Sequence, residues 1–263
     1  MNVMSFNIRY NNPDDGKNAW PYRKKMVADI FRNHAADLVG IQEALASQVD
    51  TLAQYLPEFA WFGVGRDDGK KAGEFMAVFY RKSRFKQLDG STFWLAETPK
   101  VPTMGWDAVC YRTVAWGKFE DLHTGKTFYL FNTHFDHKGK TARRESAKLL
   151  LTSIQRIAGE NPVIVTGDFN ATPKSEPIQV LVSGIENDPA TALHNAKSQS
   201  RGPHIGPAGT FTGFTSATLH EEPIDYIFTK NKIEVLQHST ISESFDGRFP
   251  SDHMPVLAKL TIQ

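Results

Sequence analysis

Cysteine is almost absent: Cys110 is the only one in 263 residues. No intrachain disulfide can form, and a metal site built from thiolates is excluded. A lone Cys within AVCYRTVAW reads as a small buried apolar residue rather than a nucleophile. No apolar run approaches the ~18 residues that a membrane-spanning helix needs. Charge of one sign is lacking too, with 30 basic residues against 29 acidic ones and a formal net charge of +1. That balance removes the strongest sequence sign of a general nucleic-acid binder, yet it leaves a phosphate-bearing substrate open. The N-terminus shows no basic stretch running into a short apolar segment, so no leader is visible. As it stands the sequence points to a cytoplasmic protein. An exported protein whose leader had been trimmed would start as abruptly, with VMSFNI opening a strand almost at Met1.

What is present is an ordinary globular composition, 40% hydrophobic and 22% charged, on a chain long enough to bury a sizeable core. Strand-like segments recur at 3–8, 38–42, 75–80, 111–119, 127–133, 163–166, 224–228 and 256–262. Met26, Val27, Ile30, Phe31 and His34 mark one face of a helix beginning near Pro21, and Leu45, Val49, Leu52 and Leu56 mark a second. A third covers 141–158, with Leu150, Leu151, Ile154 and Ile157 facing inward. The stretch FEDLHTGKTFYLF reads as a hairpin turning at Thr124 and Gly125. Helices between strands in one part of the chain and hairpins in another predict an α/β (α+β) fold with parallel and antiparallel pairs. No linker, repeat or low-complexity tract divides the chain, so one domain over 1–263 is expected. Its least structured part is 183–222, and a long irregular segment in a compact domain is usually functional or mobile.

The polar residues at the strand ends carry the chemistry. NPVIVTGDFNATP runs Val163, Ile164 and Val165 into Asp168 and Asn170, where the chain should be leaving a core. Asn7 likewise follows one apolar run, Gln42 and Glu43 a second, and Asn132, His134 and Asp136 a third. Asp225 opens IDYIF, and Asp252 with His253 precedes MPVLAKL. Taken singly, each is a turn former, a helix cap or a surface group. Taken together they supply several acids, four amides and two imidazoles that would converge if the strand ends share one edge. Such a set, rich in hard oxygen donors and free of thiolate, suits Mg²⁺, with Mn²⁺ as the alternative, better than zinc or copper. Asn170-Ala171-Thr172 is formally a glycosylation sequon, but an asparagine at a site-forming strand end is the better reading.

These residues also carry a resemblance. Asn7 in MSFNIR, Glu43 in IQEA, His134 in NTHFDH, Asp168 and Asn170 in GDFNATP, Asp225 in IDYIF and Asp252-His253 in SDHMPV stand in the order of the endonuclease/exonuclease/phosphatase superfamily. The resemblance spans Asn7 to His253. It implies a four-layer sandwich of two packed mixed β-sheets flanked by helices, and metal-dependent cleavage of a phosphoester. It further implies Glu43 as the principal metal ligand, supported by Asn7 and Asp252. Asp168 would orient or deprotonate the attacking water, and Asn170 would hydrogen-bond the scissile phosphate. His253, tuned by Asp225, would bind a phosphate oxygen or transfer a proton. In the deoxyribonuclease branch an acid placed like Glu74 would orient His134, and an arginine placed like Arg112 would contact phosphate, where its fork donates two hydrogen bonds. His137 reads as support for a neighbour rather than as a ligand.

The substrate is less defined. FWL, TP and GWDA followed by an arginine resemble a bacterial branch of the superfamily whose substrates are unassigned. Trp94, Trp106 and Tyr111 offer an aromatic wall for a base, sugar or lipid face, although Trp94 reads better as core. The basic runs 23–25 and 138–144 either flank the cleft or are solvated helix faces. The expectation is therefore a Mg²⁺- or Mn²⁺-dependent hydrolase of a phosphodiester or phosphomonoester in a nucleic acid, a nucleotide, an inositol phosphate or a phospholipid headgroup. The competing class is a catalytically degenerate phosphate- or nucleic-acid-binding module on the same scaffold. Such modules lose the acid, the histidine or the metal glutamate, and all of these are here.

Overall fold

A computed structural model describes residues 1–215 and 221–263. Two six-stranded sheets form its centre. In chain order the strands are β1 (Asn2–Asn7), β2 (Leu38–Gln42), β3 (Phe59–Phe62), β4 (Val78–Arg81), β5 (Phe85–Trp94), β6 (Thr113–Asp121), β7 (Thr127–His134), β8 (Val163–Asp168), β9 (His194–Asn195), β10 (Asp225–Lys230), β11 (Ile233–Thr240) and β12 (Val256–Ile262). One sheet has the order β11-β12-β1-β2-β4-β3 and the other β5-β6-β7-β8-β10-β9. Each is mixed: β1 and β2 run parallel, as do β7 and β8, while the remaining pairs are antiparallel.

The parallel pairs sit where burial is greatest. Every residue of β2, β8 and β10 is buried, which is why these segments read as continuous apolar runs. Helices α1 (Trp20–Asn33) and α2 (Ala46–Tyr55) cover the first sheet; Val27, Ile30, Phe31, Val49 and Leu52 pack on Phe6, Val39 and Ile41. Helices α3 (Lys140–Ala158) and α4 (Glu176–Ser183) cover the second, placing Leu150, Leu151, Ile154, Ile178 and Leu181 on Phe131, Val165 and Phe228. A third cluster, including Val3, Leu38, Leu130, Ile164 and Ile227, lies between the sheets. Helix, sheet, sheet, helix is the expected four-layer sandwich.

The sheets are also joined by a buried polar knot. Asn132 Nδ2 donates to Ile41 O (2.8 Å) and Ala77 O (3.2 Å), while its Oδ1 accepts from Gln42 Nε2 (2.7 Å) and Thr166 Oγ1 (3.0 Å). Gly40 makes this approach possible, because a Cβ there would stand 2.1 Å from Thr166 Oγ1 and 2.5 Å from Asn132 Oδ1. Gly167 does the same between β7 and β8, where a Cβ would meet Thr133 O at 2.6 Å. The hairpin forms as expected, with Gly125 at φ +70° and its N–H on Asp121 O.

The eight expected strands are all present, with ends displaced by a few residues. The unexpected ones, β3, β5, β9 and β11, are the four sheet edges. His34 caps α1 and pairs with Glu243 instead of facing the core. The described part of 183–222 holds β9, a short helix α5 (Ala196–Gln199) and a bridge from Phe211 to His253. No described helix is long and apolar enough to cross a membrane.

Candidate active site

Strand register brings the polar ends together. Asn7 lies opposite Gln42 across β1 and β2, and Asp168 pairs with both His134 of β7 and Asp225 of β10. The two sheets meet at this edge, where Asn7 Nδ2 donates to Asp168 Oδ2 (2.9 Å) and to Glu43 Oε1 (2.9 Å). The cleft so formed, about 530 Å³, is lined by Glu43, Glu74, Arg112, His134, Asp168, Asn170, Asp252 and His253 among others. Asp225 stands behind His253 and Asn7 beneath the carboxylates, so the ten expected site residues converge.

Two of them are held in the left-handed backbone region that β-carbon sterics disfavour. Glu43, one residue past β2, has φ +65°, and Asn170, two past β8, has φ +46°. Each turns its side chain back into the cleft at the point where the strand stops. Asp168 Oδ1 accepts from Asn170 N (2.9 Å), which fixes both residues.

The two imidazoles are set oppositely. His253 Nδ1 lies 2.9 Å from Asp225 Oδ2, and its Nε2 faces Asp168 Oδ2 at 3.8 Å. Burial opposes its charge, but Asp225 and Asp168 overcome burial and hold the imidazolium well above the ordinary range. For His134, burial acts first and Arg112 and Arg66 add to it, so its pKa falls well below the ordinary value and it stays neutral. Asn170 Nδ2 stands 3.0 Å from His134 Nε2 and donates to Phe135 O (3.0 Å). The Phe135 carbonyl fixes that amide's orientation, so His134 Nε2 accepts and Nδ1 carries the proton.

Several acids crowd the floor. Burial and the neighbouring Asp225 push Asp168 up to about 7, against His253, Asn170 N and Asn7, which pull it down. Burial raises Asp252 as well, with Glu43 adding to it and His253 and the arginines opposing. Carboxylates held close with raised proton affinity are a place where a divalent cation replaces protons. Ligand atoms of Glu43, Asp168 and His253 lie within 4.8 Å of one another. Because His253 is protonated, the donors of that group that fit a cation are the Glu43 and Asp168 carboxylates. Asp252 lies outside it, and Asn7 turns its Nδ2–H to both carboxylates while its Oδ1 accepts from Arg9 N (3.0 Å), so the amide would support the ligands instead of joining them. Hard oxygen donors of this kind match Mg²⁺ or Mn²⁺.

Some placements differ from expectation. Glu74 gives its short contact to Arg66 Nη1 (2.6 Å), while His134 Nδ1 stays 3.9 Å from Glu74 and has no hydrogen-bond partner. Both N–H bonds of the Asn170 amide point at His134 and Phe135, so contact with a phosphate requires one of them to be exchanged. Arg112 is buried, with Nε 3.4 Å from Asp136 Oδ2 and Nη2 3.0 Å from His137 Nδ1, leaving Nη1 without a partner. Cys110 is half-buried at the cleft wall rather than in the core. Trp94 is core, its Nε1 on Arg66 O (2.7 Å), and the aromatic lining of the cleft is Tyr10 and Phe211 in place of the Trp94, Trp106 and Tyr111 wall. Arg9, Tyr10, Arg66, Phe211 and Ser251 were not singled out in the sequence. Ser251 Oγ donates to Asn7 O (2.7 Å), but a serine before SDH carries no signal beyond its neighbour.

Residues 4–253 match the model of the Endonuclease/Exonuclease/phosphatase family. The chain belongs to that family. It is similar over its whole length to an endonuclease/exonuclease/phosphatase from Bacteroides vulgatus, with 42% identity, 98% of that chain covered and a TM-score of 0.93. A mannosyl-6-phosphatase of Bacteroides thetaiotaomicron is 34% identical, with all of both chains covered and a TM-score of 0.93. The CCR4-Not complex 3'-5'-exoribonuclease subunit Ccr4 of Mycosarcoma maydis is 22% identical over all of this chain and 50% of that protein. Across the curated relatives it matches, the chain spans between 30% and 60% of their length.

Proposed function

We propose that the protein is a divalent-cation-dependent phosphatase that hydrolyses the phosphomonoester of a phosphorylated sugar. The observation that carries the hydrolytic reading is Asp168, buried beside one charged and one neutral imidazole in a cleft whose other acids stand ready for a cation. Titratable groups pushed apart in this way define acid and base roles. Likeness to the mannosyl-6-phosphatase, at 34% identity over both whole chains, supports the sugar phosphate over a polynucleotide. The small formal charge of +1 agrees, since a nucleic-acid track needs many phosphate contacts.

In this reading Asp168 accepts a proton from the attacking water as oxygen bonds to phosphorus and the bond from phosphorus to the sugar oxygen breaks. A proton near 7 on Asp168 matches a base working near neutral pH. His253 presents Nε2–H to a non-bridging oxygen, with Asp225 holding Nδ1–H and the charge. Arg112 turns its partnerless Nη1 to the phosphate. Asn170 positions His134 and the Asp168 turn. A cation held by Glu43 and approached by Asp252, with Asn7 fixing Glu43 through its amide, would neutralise phosphate charge and stabilise the leaving oxygen. The degenerate binding module is disfavoured because no group of this set is missing.

A substrate panel tests the choice. Mannose 6-phosphate, glucose 6-phosphate, bis-p-nitrophenyl phosphate, single-stranded RNA and sphingomyelin are compared by kcat/KM with Mg²⁺ or Mn²⁺. The sugar phosphates are expected to lead. A preference for RNA or the diester would replace the monoester assignment, and no turnover of any of them would favour the binding module.

A further inference from the structure

The basic run 23–25 splits in the structure. Lys25 is exposed, whereas Arg23, on the first turn of α1, is only 1% exposed. Its guanidinium touches no carboxylate. It donates to five backbone carbonyls: Nε to Asn18 O (2.8 Å), Nη1 to Ile8 O and to Pro250 O (3.2 Å), and Nη2 to Arg9 O (2.7 Å) and Tyr10 O (3.3 Å). Trp20 lies 5.2 Å from the cation on one side and Phe214 5.7 Å on another.

Four of those carbonyls belong to two segments that are far apart in sequence and meet at the cleft, while the fifth, Asn18 O, lies just ahead of α1. Ile8, Arg9 and Tyr10 leave β1 directly after Asn7, and Tyr10 N donates to Glu43 Oε2 (3.2 Å). Pro250 leads into Ser251, Asp252 and His253. A single nitrogen, Nη1, bridges the two. The bridge is reinforced where Ser251 Oγ reaches Asn7 O. We propose that Arg23 is a positioning residue that fixes the distance between the Asn7–Glu43 side of the cation site and the Asp252–His253 side. The proposal rests on the cation-site reading given above.

A planar fork is needed for this. Five N–H bonds leave the guanidinium in fixed directions, and an ammonium in the same place reaches at most three acceptors. The charge also acts at a distance. With no acid in contact, its field falls on Asp252, Asp15 and Glu43, and it helps to keep Asp252 ionised. Burial lowers Arg23 itself to about 10, so it remains a cation at neutral pH. A helix that merely had to cover the first sheet would place an apolar side chain here, without the desolvation cost of a buried charge.

Arg23→Lys and Arg23→Met separate charge from geometry. Mn²⁺ binding is followed by electron paramagnetic resonance, kcat and KM at saturating Mn²⁺, and Tm by calorimetry. In Arg23→Lys, Mn²⁺ affinity is expected to weaken on the order of 10-fold. Its kcat should fall on the order of 10- to 100-fold with KM little changed. Arg23→Met should lose more of both. If Tm drops while Mn²⁺ affinity and kcat match the wild type, Arg23 is packing alone and the proposal is wrong. Should neither variant fold, Phe214→Leu loosens the same guanidinium without removing it. A smaller loss of Mn²⁺ affinity supports the proposal, and wild-type affinity overturns it. A wild type that binds no Mn²⁺ overturns the cation site as well, whereas an active wild type with unaffected variants overturns Arg23 alone.

Discussion

Asn170 shows how one residue serves both backbone and site. Its φ of +46° lies where an L-residue is strained, and its amide holds His134 and Phe135. Asn170→Ala and Asn170→Gly both delete that amide, but only Gly relieves the backbone. The Gly variant should therefore be more stable than the Ala variant by about 1 kcal/mol in urea denaturation, with both equally impaired in turnover. Equal stabilities would mean that the turn is not strained. At this scale the sequence was legible where a carboxylate, amide or imidazole broke an apolar run, as with Asp168, Asp225 and His253. Arg9, Arg66 and Phe211 sit in loops whose partners lie far away in the chain, so nothing local marked them. Glu74 was found, but its preference for Arg66 over His134 depends on how a loop folds back, which spacing does not encode.

Elements were legible in proportion to their burial. All eight interior strands appear as apolar runs, while β3, β5, β9 and β11 are edges with one face or one side in solvent. β5 and β11 also carry register shifts, which blur the alternation that marks a strand. Gly40 of β2 is the tightest crossing between the sheets. Gly40→Ala forces a methyl group against Thr166 and Asn132, and should cost about 1–3 kcal/mol or more in unfolding free energy. A wild-type Tm for that variant would mean that the sheets separate easily there. On β11, His238 Nδ1 lies 2.9 Å from His204 Nδ1, and His204 Nε2 is 2.9 Å from Pro207 O. His204 therefore donates to Pro207 through Nε2, and its Nδ1 faces the Nδ1 of His238. Burial, then His204 and Lys197, lower His238 to about 3. The unfolded chain takes up a proton below about 6.5, while the folded chain does not until far lower. Stability from this group is thus complete above that pH and declines as pH falls, by about 1.4 kcal/mol per unit at most. His238→Asn keeps a polar group facing His204 and should flatten the loss between pH 7 and pH 5, as urea titrations of both proteins would reveal. Identical slopes would refute the assignment.

The whole molecule is two sheets packed so that their parallel strand pairs end together, which is why polar residues more than two hundred positions apart form one cleft. That architecture was legible because each parallel pair is a buried apolar run and each run ends in a group with chemistry. The aromatic lining was not, since Phe211 reaches the site through a bridge to His253 from a segment with little pattern. A cation that binds only the folded cleft must raise its stability. Mn²⁺ at about one hundred times its Kd should add about 2.7 kcal/mol, seen as a Tm increase that EDTA reverses. An unmoved Tm would count against a preformed cation site. The most direct test of the central claim is phosphate release from mannose 6-phosphate, followed with and without EDTA, for wild type and Asp168→Asn. The prediction is release that EDTA stops and Mg²⁺ or Mn²⁺ restores, reduced by about 10²- to 10⁴-fold in a variant that stays folded. Release that persists in EDTA, or an Asp168→Asn protein with wild-type kcat, would contradict it.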